Sequence, residues 1–258
     1  VPDGKLGTTS VTYQQAYKKT LPSNVKDYIY PTGYIIGSYM YGSLPYDIGE
    51  YSIREVTVKN SIGTNVTGWE VIEYHGADIT NTFNLTSPIS KDGKNYNIIS
   101  IGPYAFYGVS VSTDQTWEFI LPNSVVQIGD YAFYKTDITK INGNQIAIIG
   151  KYAFADCENL DMMSLTQKVD TIQEGAFWGC SNIKLVIMPN DLKKLEKDAF
   201  PLATSFVWRY SKNEDEVEDE AIDDAFWTGR TGTMYVPDTD KWNRIIQQLD
   251  EKKITWTK

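Results

Sequence analysis

A chain of 258 residues with 41% hydrophobic and 13% aromatic content is too apolar to stay disordered and long enough to bury a large core. Its 33 acidic residues outnumber 24 basic ones, and a net charge of -9 with no Lys/Arg stripe opposes nucleic acid and anionic lipid as partners. No apolar run reaches the roughly 18 residues that span a bilayer, so no membrane-spanning segment is expected, and the opening Val1-Pro2-Asp3, without Met or a signal-peptide pattern, reads as a mature or trimmed chain.

Residues 1–67 are expected to form a β-rich N-terminal region. Tyr28, Tyr30, Tyr34, Tyr39, Tyr41, Tyr46 and Tyr51 crowd one span that Gly33, Gly37, Gly42 and Pro45 interrupt, a mixture favouring strands and turns apart from a short helix near 13–19. A cap packed on the following residues accounts for this composition; a tyrosine-lined contact face is the alternative, since tyrosine gives wide contact at low entropic cost. From Trp69 the pattern changes. Residues 69–95 alternate in strand fashion, and Lys91-Asp92-Gly93-Lys94 carries a hairpin signal.

Then a repeat begins. IGPYAFYGV from Ile101 is followed in frame by IGDYAFYKT from Ile128, IGKYAFADC from Ile149, IQEGAFWGC from Ile172, LEKDAFPLA from Leu195 and AIDDAFWTG from Ala221. Six of the nine phenylalanines, Phe106, Phe133, Phe154, Phe177, Phe200 and Phe226, therefore follow an alanine. In the two most regular units, 157–177 and 180–200, Leu160 matches Ile183, Met163 matches Val186, Leu165 matches Met188, Val169 matches Leu192 and Ile172 matches Leu195. The apolar gaps of three, two, four and three residues fit neither a pure helix nor a pure strand, so each unit is a coil that turns. One such unit cannot bury its apolar face alone, and its neighbours must stack on it. The six rings are then a structural ladder filling the interior, and each adjacent alanine leaves them room. Polar, turn-rich inserts at 110–115 and 211–224 fall between core positions.

Cys157 and Cys180 occupy one repeat slot, shared with Val109, Thr136, Ala203 and Gly229, whose rule is small volume rather than sulfur. Stacked units could bring the two within disulfide range, but free, buried thiols are the expectation.

The skeleton small-x-x-Leu-x-x-Ile-x-Ile-Pro-x-x-Val-x-x-Ile-Gly-x-x-Ala-Phe, with strand ends FILP at Pro122, IMP at Pro189 and YVP at Pro237, resembles the BspA-like leucine-rich repeats of bacterial surface proteins over about two-thirds of the chain. The resemblance implies a leucine-rich-repeat solenoid with a stacked parallel sheet over 68–237, and an extracellular or cell-envelope protein that binds something. The unit ending at Phe154 departs from the pattern by being two residues short, and the register after Phe200 is ambiguous because Arg209 falls on an inward position. Residues 238–258 read as a C-terminal cap, with Asp238, Thr239 or Asp240 starting a short helix through Trp242, Ile245, Ile246 and Leu249.

Side chains between the inward strand positions must point outward. They form two columns, Glu118, Lys140, Met162, Leu185, Trp208 and Thr233 beside Ile120, Asn142, Ser164, Ile187, Tyr210 and Tyr235, which turn apolar from Leu185 onward. Leu185, Ile187, Trp208, Tyr210 and Tyr235 are therefore the candidate partner-binding patch. A one-residue slip in FVWRYS would instead bury Trp208 and Tyr210 and send Arg209 out, and both readings stand.

Chemistry is sparse. His75 is the sole histidine, in a Tyr-His-Gly setting without a nucleophile elbow, so no Ser-His-Asp or Cys-His scheme is assembled. One histidine and two repeat-slot cysteines give no zinc spacing, no glycine loop cradles phosphate, and the acidic run EDEVEDEAIDD at 214–224 lacks the glycine turn of a calcium loop. No cofactor or metal is implied. The expected function is adhesion to a protein or glycan through the repeat sheet, without catalysis; the alternative is a glycan-active enzyme or accessory subunit with its site in residues 1–67.

Overall fold

In the computed structural model, each Ala-Phe pair of the first five windows sits in a tight turn between two short strands that belong to different sheets and share one core. The structure describes residues 46–76, 79, 82–85, 87–109, 117–161, 163–164, 168–189, 192–208, 222, 224–227, 229–236, 243 and 246–247. The tyrosine-rich stretch before residue 46, the acidic run before Asp224 and most of the C-terminal cap lie outside them; within the cap segment, Asn243, Ile246 and Gln247 are helical.

The chain enters through β1 (Tyr46–Ile48), β2 (Tyr51–Lys59) and β3 (Asn65–Tyr74), an antiparallel meander. The domain boundary expected at 67/68 falls inside β3. Asn60 closes the β2–β3 loop, its Oδ1 accepting from Ile62 N at 3.2 Å and Thr64 N at 2.9 Å, the side-chain mimicry that makes asparagine a turn residue. After β4 (Thr82–Asn84) comes the hairpin of β5 (Ile89–Lys91) and β6 (Lys94–Tyr96). Its register pairs Lys91 with Lys94, leaving Asp92 and Gly93 as a two-residue loop with φ of 52° and 73°, as the tight primed turn requires.

From there strands of two kinds alternate. They are β7 (Ile98–Ile101), β8 (Glu118–Ile120), β9 (Gln127–Ile128), β10 (Lys140–Asn142), β11 (Ile148–Ile149), β12 (Met163–Ser164), β13 (Thr171–Ile172), β14 (Leu185–Met188), β15 (Lys194–Leu195), β16 (Ser205–Trp208) and, after the one-turn helix α1 (Asp224–Trp227), β17 (Met234–Tyr235). The back sheet runs β1-β2-β3-β7-β9-β11-β13-β15, parallel from β3 onward. Front strands form two parallel groups, β10-β8-β4 and β12-β14-β16-β17. The break between them coincides with the short unit, where the Phe133-to-Phe154 interval is 21 residues against 23 for the next two.

Strand alternation sorts the side chains. Phe119 is buried between half-buried Glu118 and Ile120, and Val186 and Met188 are buried while Leu185 is exposed. On the back sheet Ile128, Ile149, Ile172 and Leu195 stand in register and are all buried. Between the sheets Phe106, Phe133, Phe154, Phe177 and Phe200 lie face to face, with centroid separations of 5.2, 5.1, 5.2 and 4.8 Å and interplanar angles of 4°, 6°, 2° and 11°. Tyr74 continues the stack at the N-terminal end, 5.4 Å from Phe106 and tilted 20°. Phe226 is buried in the same core but departs from the column: Phe206 wedges in, meeting Phe200 at 70° and Phe226 at 63°. Its window is built differently, on α1, with Ala225 exposed where the other five alanines are buried.

The turns make a third ladder. Phe106, Phe133, Phe154 and Phe177 each donate their backbone N–H to the alanine carbonyl of the next unit, at 2.7 to 2.8 Å. Two residues before each ring the backbone is left-handed: φ is 60° at Tyr104, 57° at Tyr131, 51° at Tyr152, 62° at Gly175 and 53° at Asp198. That conformation costs an L-residue about 1–2 kcal/mol. The tyrosines offset it by stacking, Tyr104 on Tyr131 at 4.9 Å and Tyr131 on Tyr152 at 5.2 Å. Tyr152 in turn lies on Gly175, where a Cβ would fall 2.2 Å from its ring.

The small slot has a polar purpose as well. Cys157 Sγ donates to Phe133 O and Cys180 Sγ to Phe154 O, both at 3.0 Å, so each thiol ties its unit to the ring turn before it. Both cysteines are free and buried. At the C-terminal end Arg230 extends this bonding: buried, it donates to Phe200 O at 3.3 Å, Pro201 O at 3.0 Å and Phe226 O at 2.5 Å, with its guanidinium 3.7 Å from the Phe226 ring centroid. Burial draws its pKa down to about 10, so it is charged at neutral pH and bound to carbonyl dipoles rather than to a carboxylate.

Candidate binding surface

The front face is decided by the register of β16. Thr204 sets it, with its N–H on Pro201 O at 3.1 Å and its Oγ1 on Ile183 O at 2.9 Å, so that Phe206 faces Val186 and Trp208 faces Met188. Both aromatic rings therefore point inward. Trp208 is 6% exposed and packs 5.5 Å from Phe206 and 6.0 Å from Trp227. The outward placement of Trp208 is thereby corrected: the slipped register holds, because it lets the indole join an aromatic core instead of standing in water. Tyr210, with Arg209, lies outside the described residues.

Outward stand Leu185 beside Ser205, and Ile187, Val207 and Tyr235 in one row. Leu185 is 45% and Tyr235 57% exposed, with Ile187 and Val207 half-buried between them. Sequence reasoning missed Val207, because aligning Leu185 with Trp208 carries forward the 23-residue period of the preceding units, whereas Leu185 pairs with Ser205. Three of the five expected patch residues, Leu185, Ile187 and Tyr235, are thus brought together, and Val207 joins them.

The N-terminal half of the same face is polar. Thr82, Glu118 and Lys140 form one row, with Glu118 and Lys140 ion-paired at 3.2 Å, and Asn84, Ile120 and Asn142 form the next. That exposed pair contributes little to stability. Other charges neutralise one another near the back sheet, where Glu174 meets Lys197 at 3.0 Å and Lys151 at 3.3 Å, and Asp170 meets Lys193 at 3.1 Å. The hydrogen bond from Lys197 holds the Glu174 carboxyl below its ordinary value.

Little of this is chemically reactive. His75 is exposed, with its backbone N–H on Glu50 O at 3.0 Å. Among the described residues no group of three His, Cys, Asp or Glu side chains could hold a metal ion, and no helix is long and apolar enough to cross a membrane. Hydrogen bonding to Cys157 and burial push the Cys180 thiol far above its ordinary value, the reverse of an activated nucleophile.

The model of the BspA type leucine rich repeat region matches residues 80–206 in six copies. Among solved structures, the chain is similar to a leucine rich cell surface protein from Faecalibacterium prausnitzii A2-165 (17% identity, TM-score 0.49, covering 78% of this chain and 42% of that one). It is also similar to the pneumococcal vaccine antigen PcpA (15% identity, TM-score 0.46, 76% and 50%) and to a leucine-rich repeat protein from Bacteroides ovatus ATCC 8483 (19% identity, TM-score 0.30, 75% and 59%). The chain spans less than two thirds of each of these three. No curated protein matches it significantly. The in-frame Ala-Phe units, the parallel strands they alternate with and the six matched copies make residues 80–206 of this chain a BspA type leucine rich repeat region.

Proposed function

We propose that this protein is a binding module of the cell envelope or the extracellular space, a leucine-rich-repeat solenoid whose front face engages another protein. The observation that carries this reading is the row of Ile187, Val207 and Tyr235 beside Leu185, apolar side chains held outward on a paired parallel sheet and without a charged neighbour in register. Rigid backbone and exposed apolar side chains together are what a recognition patch needs, since ordering costs little on binding. The net charge of -9 selects the partner's character: an apolar contact surface flanked by basic residues. Catalysis has no part in this reading.

The test places a photo-crosslinking amino acid at position 235, and separately at exposed Trp178, and exposes the protein to extracellular and cell-surface fractions. A single protein species crosslinked from 235 and not from 178, lost in Leu185→Lys and released by raised salt, supports the reading. Equal crosslinking from both positions, or capture unchanged in a folded Leu185→Lys variant, overturns it.

A further inference from the structure

A groove lies at the other end of the front face, across the break between β10 and β12. Where β4, β8 and β10 run out into their turns, this open groove of about 590 Å³ is lined by amide and hydroxyl side chains and backbone and, in slightly greater area, by apolar surface that includes Leu85, Ile120, Leu121 and Pro122, and by no charged residue. Asn84 and Asn142 flank Ile120 in register, and Asn123, Asn144 and Ser124 rise from the turns that follow. We propose that this groove binds a neutral oligosaccharide.

The chemistry matches on three counts. An asparagine amide offers donors and an acceptor side by side, which is what neighbouring sugar hydroxyls present in return. Half-buried Ile120 and Pro122 supply an apolar strip between the amides, the complement of the C–H face of a pyranose ring. The absence of charge in the lining removes the attraction that a phosphate, a sulfated sugar or an acidic peptide would need. Glu118 stands close by, ion-paired with Lys140 and accepting from Asn142 Nδ2, which commits that side of the Asn142 amide and leaves its Oδ1 for a ligand.

The groove is also pre-ordered. Asn144 Nδ2 donates to Asn123 Oδ1 at 3.1 Å, which commits half of each amide and leaves Asn123 Nδ2 and Asn144 Oδ1 for a ligand. Ser124 Oγ lies 2.6 Å from Ile98 O and 3.1 Å from Ser87 Oγ, and Ser87 Oγ donates to Asn97 Oδ1 at 3.0 Å. The groove's size falls within the ~300–1,000 Å³ range of small-ligand sites, ample for a short oligosaccharide.

The experiment is isothermal titration calorimetry of the whole chain against short neutral gluco-, manno- and galacto-oligosaccharides, with chondroitin sulfate as the anionic comparison. The proposal expects at least one neutral sugar to bind. Its affinity should fall by about tenfold or more in Asn84→Ala/Asn142→Ala. Binding should be unchanged in Leu185→Lys, the variant that tests the protein-binding patch, so the two readings fail separately. A milder variant, Asn144→Asp, keeps the fold by retaining volume and should also weaken neutral sugars while leaving the circular dichroism spectrum unaltered. Absence of binding by every neutral sugar, tighter binding of the sulfated polymer, or full affinity in the folded double variant would each overturn the proposal.

Discussion

Arg230 shows how single side chains finish what the repeat begins. In earlier units a cysteine Sγ reaches the preceding phenylalanine carbonyl; at the end of the ladder a guanidinium serves Phe200 O, Pro201 O and Phe226 O together while lying on the Phe226 ring. Truncation to alanine leaves Phe200 O and Phe226 O without the side chain that serves them, while Pro201 O keeps the Thr204 N–H, and an unsatisfied buried acceptor costs about 1–3 kcal/mol. Arg230→Ala should therefore lower the unfolding free energy read from denaturant melts by an amount in that range or above. Arg230→Lys should recover only part, because one ammonium lacks the fork that reaches separate carbonyls. Equal stability of the wild type and Arg230→Ala would remove Arg230 from the terminating role. Nothing in the sequence alone flags this residue, which lies one position beyond the small slot.

At the scale of the element, the repeat turn combines a left-handed backbone with an aromatic column, and glycines at matching φ separate the two contributions. Gly175 and Gly108 share a φ of 62°, but a Cβ at Gly175 meets the Tyr152 ring at 2.2 Å while one at Gly108 meets nothing within 4 Å. Gly108→Ala should cost about 1 kcal/mol, the conformational part alone. Gly175→Ala should cost clearly more, because Tyr152 must leave its stack on Tyr131. Thermal or denaturant melts of the two variants measure the difference, and equal losses would show that the tyrosine column contributes nothing. Much at this scale was legible in advance: the Asp92-Gly93 turn, the Ala-Phe frame and the buried thiols follow from local patterns whose residue types admit one conformation. The register of β16 was not, since alternation alone lets either Phe206, Trp208 and Tyr210 or Val207 and Arg209 face inward. Thr204 decides it through a hydrogen bond to Ile183 O from a unit away in sequence. Tyr74 as first ring of the stack and the asparagine groove were likewise invisible, because they arise from residues that only stacking brings side by side.

For the molecule as a whole, one core runs through all the described units, so its weak point is shared. Burial is the main cause that raises the phenol pKa of Tyr51, Tyr104, Tyr131, Tyr134 and Tyr152, with Tyr131 pushed up to about 12 by burial, then by Tyr152 and Asp130. A raised folded-state value means that the stabilising contribution is whole below the ordinary value of 10 and is lost as pH climbs from 10 towards 12. The denaturant midpoint should thus fall steeply above pH 10, with phenolate absorbance from these side chains appearing together with unfolding. Phenolate formation by the stacked tyrosines in a fully folded protein near pH 10 would contradict the burial described here. The same shared interior shapes the front face, because rings that stack inside leave Leu185, Ile187, Val207 and Tyr235 turned to solvent in the C-terminal half of the sheet.

Hydroxyl-radical footprinting read by mass spectrometry reports on both sides of that division at once. The account predicts rapid oxidation of Tyr235, Leu185 and Trp178, and protection of Phe106, Phe133, Phe154, Phe177, Phe200 and Trp208 until the protein unfolds. Oxidation of Trp208 or of the stacked phenylalanines as readily as Tyr235 in the folded protein would contradict it.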